Sequence, residues 1–347
     1  MYQRQAHRPR DGRETDNGNG NGVETSSVAV LWQRAKANIS VGTGKYFNQV
    51  LLVTALAVLA AVLSLVSPHF WQWDNAKNIL EQTAVLIVMS VAMTIVIASG
   101  GIDLSVGGVV ALSGIVAGLC LKAGATVAAA VTCALGLGSL VGLLNGSLIS
   151  LLDINPFIVT LGCGSIARGL ALILTQGIPI YGFGSGFACL GKGNIMGLTV
   201  PVWLALAVAL LGWVAATRTK LGLYASAMGE NEEALLRTGV PVGWYKTGLY
   251  AICGTAAALV GLVLASRLNT ADPTVGLGYE LQAIAATVLG GTSMKGGASS
   301  IPGTVIACLL LGVLANGLTI VSVQPYYQQL LIGIIIIAAV IVSERKK

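Results

Sequence analysis

The chain is expected to be all-α: a polytopic membrane protein of about ten transmembrane helices, built as two internal repeats with both termini in the cytoplasm. Three observations carry that expectation. Of 347 residues, 55% are hydrophobic and 10% charged, against about 25% charged in soluble domains. The apolar residues gather in runs of about 17–25, the length that crosses a hydrocarbon core of about 30 Å, and none shows the alternation of a membrane barrel strand. Finally, the stretch Gly100-Gly101-Ile102-Asp103-Leu104-Ser105-Val106-Gly107-Gly108 recurs in spacing as Gly290-Gly291-Thr292-Ser293-Met294-Lys295-Gly296-Gly297. Each copy has a Gly pair closing one apolar run and a second pair just before another. Broken helices in corresponding halves are a pointer to a transport path.

In chain order, residues 1–48 are expected to form a disordered basic cytoplasmic tail. The Asn/Gly tract at 16–22, flanked by arginines, offers too little apolar surface to offset the entropy of ordering. The tail is too long and polar for a signal-peptide n-region, so an uncleaved first span follows from about Gln49. The expected spans are 49–67, 81–99, 105–121, 126–152, 157–175, 200–216, 245–266, 279–293, 301–321 and 326–343. They form one transmembrane domain over 49–343, with repeats at about 81–175 and 245–343 and a cytoplasmic tail at 344–347. The run at 279–293 is short and opens with Glu280, which suits a tilted, re-entrant or broken segment. Of the 20 Lys and Arg, this topology leaves Lys77, Lys122, Lys192 and Arg267 outside and Arg168 at depth, hence 20 − 5 = 15 inside. Basic residues accumulate on the cytoplasmic side, which accounts for the net charge of +6 without nucleic acid.

Catalytic and metal chemistry have little to be built from. None of the six cysteines forms a C-x-x-C pair, and five lie in apolar runs, where free Cys is a small hydrophobe. The two histidines, His7 and His69, are isolated. The run Gly186 to Lys192 fits the first seven places of a phosphate-cradling loop, but Gly193 replaces the hydroxyl residue that would hold magnesium. The stretch from about 176 to 198 instead reads as an external Gly-rich connection able to meet a partner.

The longest cytoplasmic interruption is 217–244. Within it Glu230, Glu232 and Glu233 precede Arg237 with the polarity that suits a helix macrodipole, and Gly229 and Gly239 bracket a helix of two or three turns. An amphipathic connector and a docking helix both fit. Polar residues in the bilayer are costly and functional by default. Arg168 either lines a path or pairs with a carboxylate. Asp103 either caps the helix beginning near Ser105 or gates. Glu280 reads as a first-turn carboxylate, and Asn145 and Asn316 as interhelical hydrogen bonders or solute contacts. The Gly pairs, Gly107 included, let backbones approach closely, and Trp203 and Trp213 read as interfacial or packing aromatics.

The 100–108 stretch, the 229–239 segment and Gly278 to Ser293, in that order, resemble the membrane-spanning permease subunit of ribose/xylose/galactose-type ABC importers, over roughly residues 49–343. Branched-chain amino-acid permeases are the nearest competitors. The resemblance implies a bacterial inner-membrane subunit that is not itself an enzyme and binds no cofactor. Its partners would be a cytoplasmic ATPase using ATP and Mg, a periplasmic sugar-binding protein, membrane lipid, and a permease partner in a homodimer or heterodimer, with no nucleic acid. It also implies that 230–239, including Asn231 and Ala234, docks in the ATPase, and that the cargo is a monosaccharide with ribose-like pentoses leading. Autoinducer-2 and polyols are alternative cargoes. An ion-coupled secondary sugar carrier and a membrane receptor or scaffold are the alternative classes. Leu235 and Ala298-Ser299 depart from the family pattern, the first standing where a second alanine is expected and the second where glycine is usual.

Overall fold

A computed structural model describes residues 48–324 together with Tyr327, Leu330, Leu331, Gly333, Ile334 and Ile337. The expected tails and most of the expected span at 326–343 lie outside the described residues. The helices are α1 (Asn48–Val66), α2 (Trp73–Ala98), α3 (Val106–Lys122), α4 (Val127–Leu151), α5 (Pro156–Thr175), α6 (Ser185–Lys192), α7 (Val200–Arg218), α8 (Lys220–Arg237), α9 (Val242–Leu268), α10 (Tyr279–Leu289) and α11 (Ile301–Ile320). Seven of them, α1, α2, α4, α5, α7, α9 and α11, are long and apolar enough to cross a membrane, while α3 has 17 residues. The suspect run at 279–293 is a helix of 11 residues. At about 1.5 Å per residue it rises only about half the hydrocarbon thickness, so it is a half-length helix ending in a glycine elbow.

Local chemistry sets several boundaries. Thr126 accepts from the Ala129 N–H to open α4, and Asn155 accepts from the Phe157 N–H ahead of Pro156 to open α5. Ser300 accepts from the Gly303 N–H to open α11. These are side-chain N-caps, two of them with Pro in the first turn.

Helix α9 is the hub. Gly138, Gly142 and Gly146, one every four residues on α4, lie against Gly254, Tyr250 and Thr247 of α9, and Gly114 of α3 lies against Gly261. Lipid gives helices no hydrophobic reason to associate, so close backbone packing between small residues does that work. The apolar windows of α2 and α9 are 78% and 72% buried, whereas those of α1, α5 and α7 are 11%, 28% and 22% buried. An inner group of helices is thus partly ringed by outer ones that present apolar faces outward.

The segment 176–198, expected as an external Gly-rich connection, carries short elements of its own. Ile180–Tyr181 (β1) pairs antiparallel with Thr270–Ala271 (β4), and Asn194–Ile195 (β2) pairs with Leu198–Thr199 (β3). The run Gly186 to Lys192 is α6, whose Phe187 carbonyl accepts from Ser266 Oγ at 2.6 Å, so it is a packed helix and no phosphate cradle. Trp203 donates to the Ile195 carbonyl at 3.1 Å, a packing role.

Candidate functional site

The two glycine stretches form two elbows with the same opening. In the first, Gly100 has φ +82, its N–H reaches the Ile97 carbonyl at 2.9 Å, and the Gly101 N–H reaches Val96 O at 3.1 Å. In the second, Gly291 has φ +95, its N–H reaches Val288 O at 2.9 Å, and the Thr292 N–H reaches Thr287 O at 3.2 Å. Both are left-handed glycine C-caps in which the next residue closes a six-to-one hydrogen bond. The matching positions are therefore Gly100 with Gly291, one residue off the pair-to-pair register read from sequence. Gly107 and Gly108 fall inside the first turn of α3 rather than ahead of it. Gly296 and Gly297 lie in the longer second elbow, both with positive φ.

The elbows meet at Gly229 of α8. A side chain there would run into Ala98 O, Gly297 N and Gly296 Cα, and one at Gly296 would meet Gly229 and Gly100 N. The Gly297 N–H donates to Ala98 O at 2.9 Å, joining the second elbow to the end of α2. Helix α8 differs from expectation. It begins at Lys220 and breaks at Asn231 (φ −161, ψ 95), so Gly229 is the contact point rather than the start of the helix. Asn231 Oδ1 accepts the Ala234 N–H at 2.9 Å and caps a short second piece. Lys246 Nζ of α9 donates to both Glu232 oxygens at 2.6 and 2.8 Å, while Glu233 pairs only with Arg237, at 2.6 Å, both exposed. Gly239 (φ +82) follows the helix end, and Glu230 lies over Gly297. A polar cavity of about 270 Å³ sits beside the junction, lined by Ser99, Gly101, Asp153, Asn155, Glu232 and Lys246.

Asp103 does not cap α3. Its Oδ1 accepts from the Ser105 N–H at 2.9 Å and from Ser105 Oγ at 2.6 Å, two residues on, and the N-cap position belongs to Ser105. Asn145 Nδ2 of α4 donates to the same Ser105 Oγ at 2.8 Å. Asn316 Nδ2 of α11 donates to Asn75 Oδ1 of α2 at 2.9 Å. Both amides are interhelical links.

Arg168 is not paired with a carboxylate. Its guanidinium donates to the carbonyls of Pro273 (2.7 Å), Val275 (2.6 Å) and Gly107 (3.0 Å), tying α5 and the 272–278 segment to the first turn of α3. The irregular backbone before α10 leaves carbonyls free, and a planar multi-donor fork suits them. The Glu280 carboxylate also lies against Gly107 and accepts weakly from the Gly278 N–H at 3.3 Å. Arg168 and Glu280 line an open groove with Ser165, Gly164 and Gly169.

Near the middle of α2, a cavity of about 360 Å³ lies between α2, α9, α10 and α11, with Gln82, Thr83, Arg267, Tyr279 and Gln282 among apolar walls. Arg267 is held at its rim by Glu81 at 3.2 Å. Sequence reasoning missed this cavity. The available signal was two glutamines on α2 and α10 facing a cation at the end of α9. Between cavity and junction, Thr94 Oγ1 lies 2.9 Å from Thr304 Oγ1, and Thr287 Oγ1 donates to Ser90 O at 3.2 Å. These buried bonds clamp α2, α10 and α11 together.

A family model described as branched-chain amino acid transport system / permease component matches residues 75–340. The chain is 40% identical to the ribose import permease protein of Escherichia coli (strain K12), covering 87% of this chain and 97% of that protein. It is also 40% identical to the ribose import permease protein of Bacillus subtilis (strain 168), covering 84% and 91%. To the L-arabinose transport system permease protein of Escherichia coli (strain K12) it is 34% identical over 93% and 98%. No solved structure matches it significantly.

Proposed function

The chain belongs to the branched-chain amino acid transport system / permease component family, and from that premise we propose that it is the permease subunit of an ATP-driven importer carrying a monosaccharide, ribose-like pentoses first. It is a multi-pass inner-membrane protein. The observation that carries the substrate reading is its likeness, nearly end to end, to ribose import permeases from two distant bacteria. In this reading the chain performs no covalent chemistry and binds no cofactor. A cytoplasmic ATPase uses ATP and Mg, a periplasmic binding protein delivers the sugar, and two permease chains, identical or related, enclose the path in the lipid.

Ten spans, N-in/C-in, in two repeats over 81–175 and 245–343 complete the proposed arrangement, with 217–244 as the cytoplasmic coupling loop. The identical caps at Gly100 and Gly291 support the repeat. The piece of α8 after Asn231 is the proposed ATPase contact, and its displacement would reach the elbows through Gly229. Helices α2 and α10 run from the elbows to the cavity at Gln82 and Gln282, roughly 20 Å along α2, with the threonine clamp holding them as one body. Rigid-body rocking of such bodies gives alternating access. The cavity falls within the range of small-molecule sites, about 300–1,000 Å³, and its amides and Arg267 suit hydroxyl groups. Solute bound equally in both states shifts no equilibrium, so the directionality must come from ATP.

The test is uptake of a panel of labelled sugars into proteoliposomes holding this chain, the ATPase and the binding protein encoded with it, with and without internal ATP. Uptake of one sugar only with ATP and both partners is the expected result. Uptake by the chain alone, following an ion gradient, would make it a secondary carrier.

A further inference from the structure

The first elbow holds a carboxylate with nothing to balance it. Asp103, Ser105 and Asn145 are 0%, 1% and 0% exposed, and no ion pair among the described residues includes Asp103. The titratable groups around it are the thiols of Cys253 on α9 and Cys163 on α5 and the phenol of Tyr250 on α9. None is a cation. Two buried oxygens in this cluster have no hydrogen-bond partner, Asp103 Oδ2 and Asn145 Oδ1, and both are acceptors.

The nearby oxygen and nitrogen donors are already used, which leaves the Cys253 thiol, a weak donor that brings no charge, facing Asp103. The Ser105 hydroxyl and N–H both go to Asp103 Oδ1. The Tyr250 hydroxyl goes to Ile102 O at 3.4 Å and the Thr160 hydroxyl to Pro156 O and Ile102 O. The start of α3 offers its field, which offsets part of a negative charge, and the Ser105 N–H, which goes to Oδ1 and leaves Oδ2 without a partner. An ionised carboxylate taken out of water without a partner is strongly disfavoured, and a buried acceptor left unsatisfied adds to the cost. A bridging water would supply donors but leave the charge.

We propose that Asp103 is a positioning residue held as a neutral carboxylic acid, with its proton on Oδ2 donated to the Asn145 amide oxygen. One proton then removes the charge and satisfies both orphan oxygens. Asp103, Ser105 and Asn145 become a closed ring of hydrogen bonds that latches the first elbow to α4. The latch sets the backbone that carries Gly100 against Gly229. It concerns the elbow's own chemistry and does not depend on which solute is carried.

The test uses the full chain in lipid nanodiscs and compares infrared spectra of the parent and Asp103→Asn between pH 6 and 8. A protonated-carboxyl C=O band present in the parent and missing in the variant is the expected result. It should shift to higher frequency in Asn145→Leu, where the acceptor is gone. Asparagine at 103 keeps the acceptor for Ser105 and supplies an N–H for Asn145. Its thermal midpoint is therefore expected within about 2 °C of the parent, while Asp103→Ala falls by more than about 4 °C. No band lost in Asp103→Asn, or an Asp103→Asn midpoint as low as that of Asp103→Ala, would show an ionised carboxylate and overturn the proposal. A band unmoved by Asn145→Leu would overturn the pairing.

Discussion

The two elbows begin alike and end differently. Each closes its helix with one left-handed glycine and the same pair of backbone hydrogen bonds, at Gly100 and at Gly291. The first then enters α3 within six residues of that glycine, through a buried polar cluster of Asp103, Ser105 and Asn145. The second takes ten residues to reach α11, turning twice more at Gly296 and Gly297 and holding itself through backbone bonds such as Ser293 N–H to Ala298 O at 3.2 Å. The first is therefore latched by a side-chain cluster to α4, whereas the second, braced internally by Thr292 Oγ1 accepting from the Ser300 N–H, joins the end of α2 through its backbone. The difference suggests a division of labour in which a latched elbow acts as the fixed member and a glycine-turned one as the adaptable member, with α8 pressed against both.

Gly229→Val should break the comparison most severely, because its side chain collides with both elbows at once. ATP-driven uptake per folded molecule is expected to fall at least tenfold, roughly the effect of 1.4 kcal/mol, with Gly229→Ala between it and the parent. Normal uptake by both variants would show that the elbows and α8 do not move against one another.

Arg168→Ala tests the tie between the first turn of α3 and the 272–278 segment that leads into α10. Three carbonyls lose their donor, and with about 1.5–3 kcal/mol for a hydrogen bond to a charged group, a loss of roughly 3 kcal/mol is expected after relaxation. Thermal unfolding in detergent measures it. Arg168→Lys should recover only part, since an ammonium cannot reproduce the planar fork. A smaller pair of changes sharpens the likeness itself. Gly100→Ala and Gly291→Ala each place a Cβ on a left-handed residue, costing about 1–2 kcal/mol. Equal losses would support equivalent caps, and losses differing by more than about 1 kcal/mol would show that the elbows are not equivalent in energy.

What the sequence made legible follows from which signals are local. Long apolar runs located the helices, and α4 at Val127–Leu151 and α11 at Ile301–Ile320 fall within two residues of the expected spans. Helix α2 begins at Trp73, eight residues before its expected start, because its first turns carry Asp74, Asn75, Lys77 and Asn78, which hydropathy reads as loop. The break at Asn231 had a local signal too. An Asn followed by two glutamates is an N-cap with an acidic first turn, and Gly229 drew attention away from it. Arg168 reads as a residue at depth, but its partners are carbonyls rather than a carboxylate, and two of the three lie more than 100 positions away in a segment whose irregularity is tertiary. The cavity at Gln82 and Gln282 left only a weak signal, two glutamines in apolar runs, because its polar walls come from separate helices brought together only by packing.

The mildest substitution for the fold bears on what lies beyond the elbows. Glu233 is exposed and touches only Arg237, one turn on, and such a pair contributes about 0.3–0.5 kcal/mol. Glu233→Lys removes it and places two like charges one turn apart, so the thermal midpoint should move by no more than a degree or two. Glu232, held by Lys246, is undisturbed, so the piece of α8 after Asn231 keeps its tether to α9. A loss of ATP-driven uptake in a variant of unchanged stability would then come from outside the chain, at the surface that meets the ATPase. Co-purification with the ATPase, measured beside uptake, separates the outcomes. Both reduced would support docking through this face, whereas unchanged association and uptake would remove Glu233 from the coupling surface and leave Gly229 to be driven by another part of the cytoplasmic face.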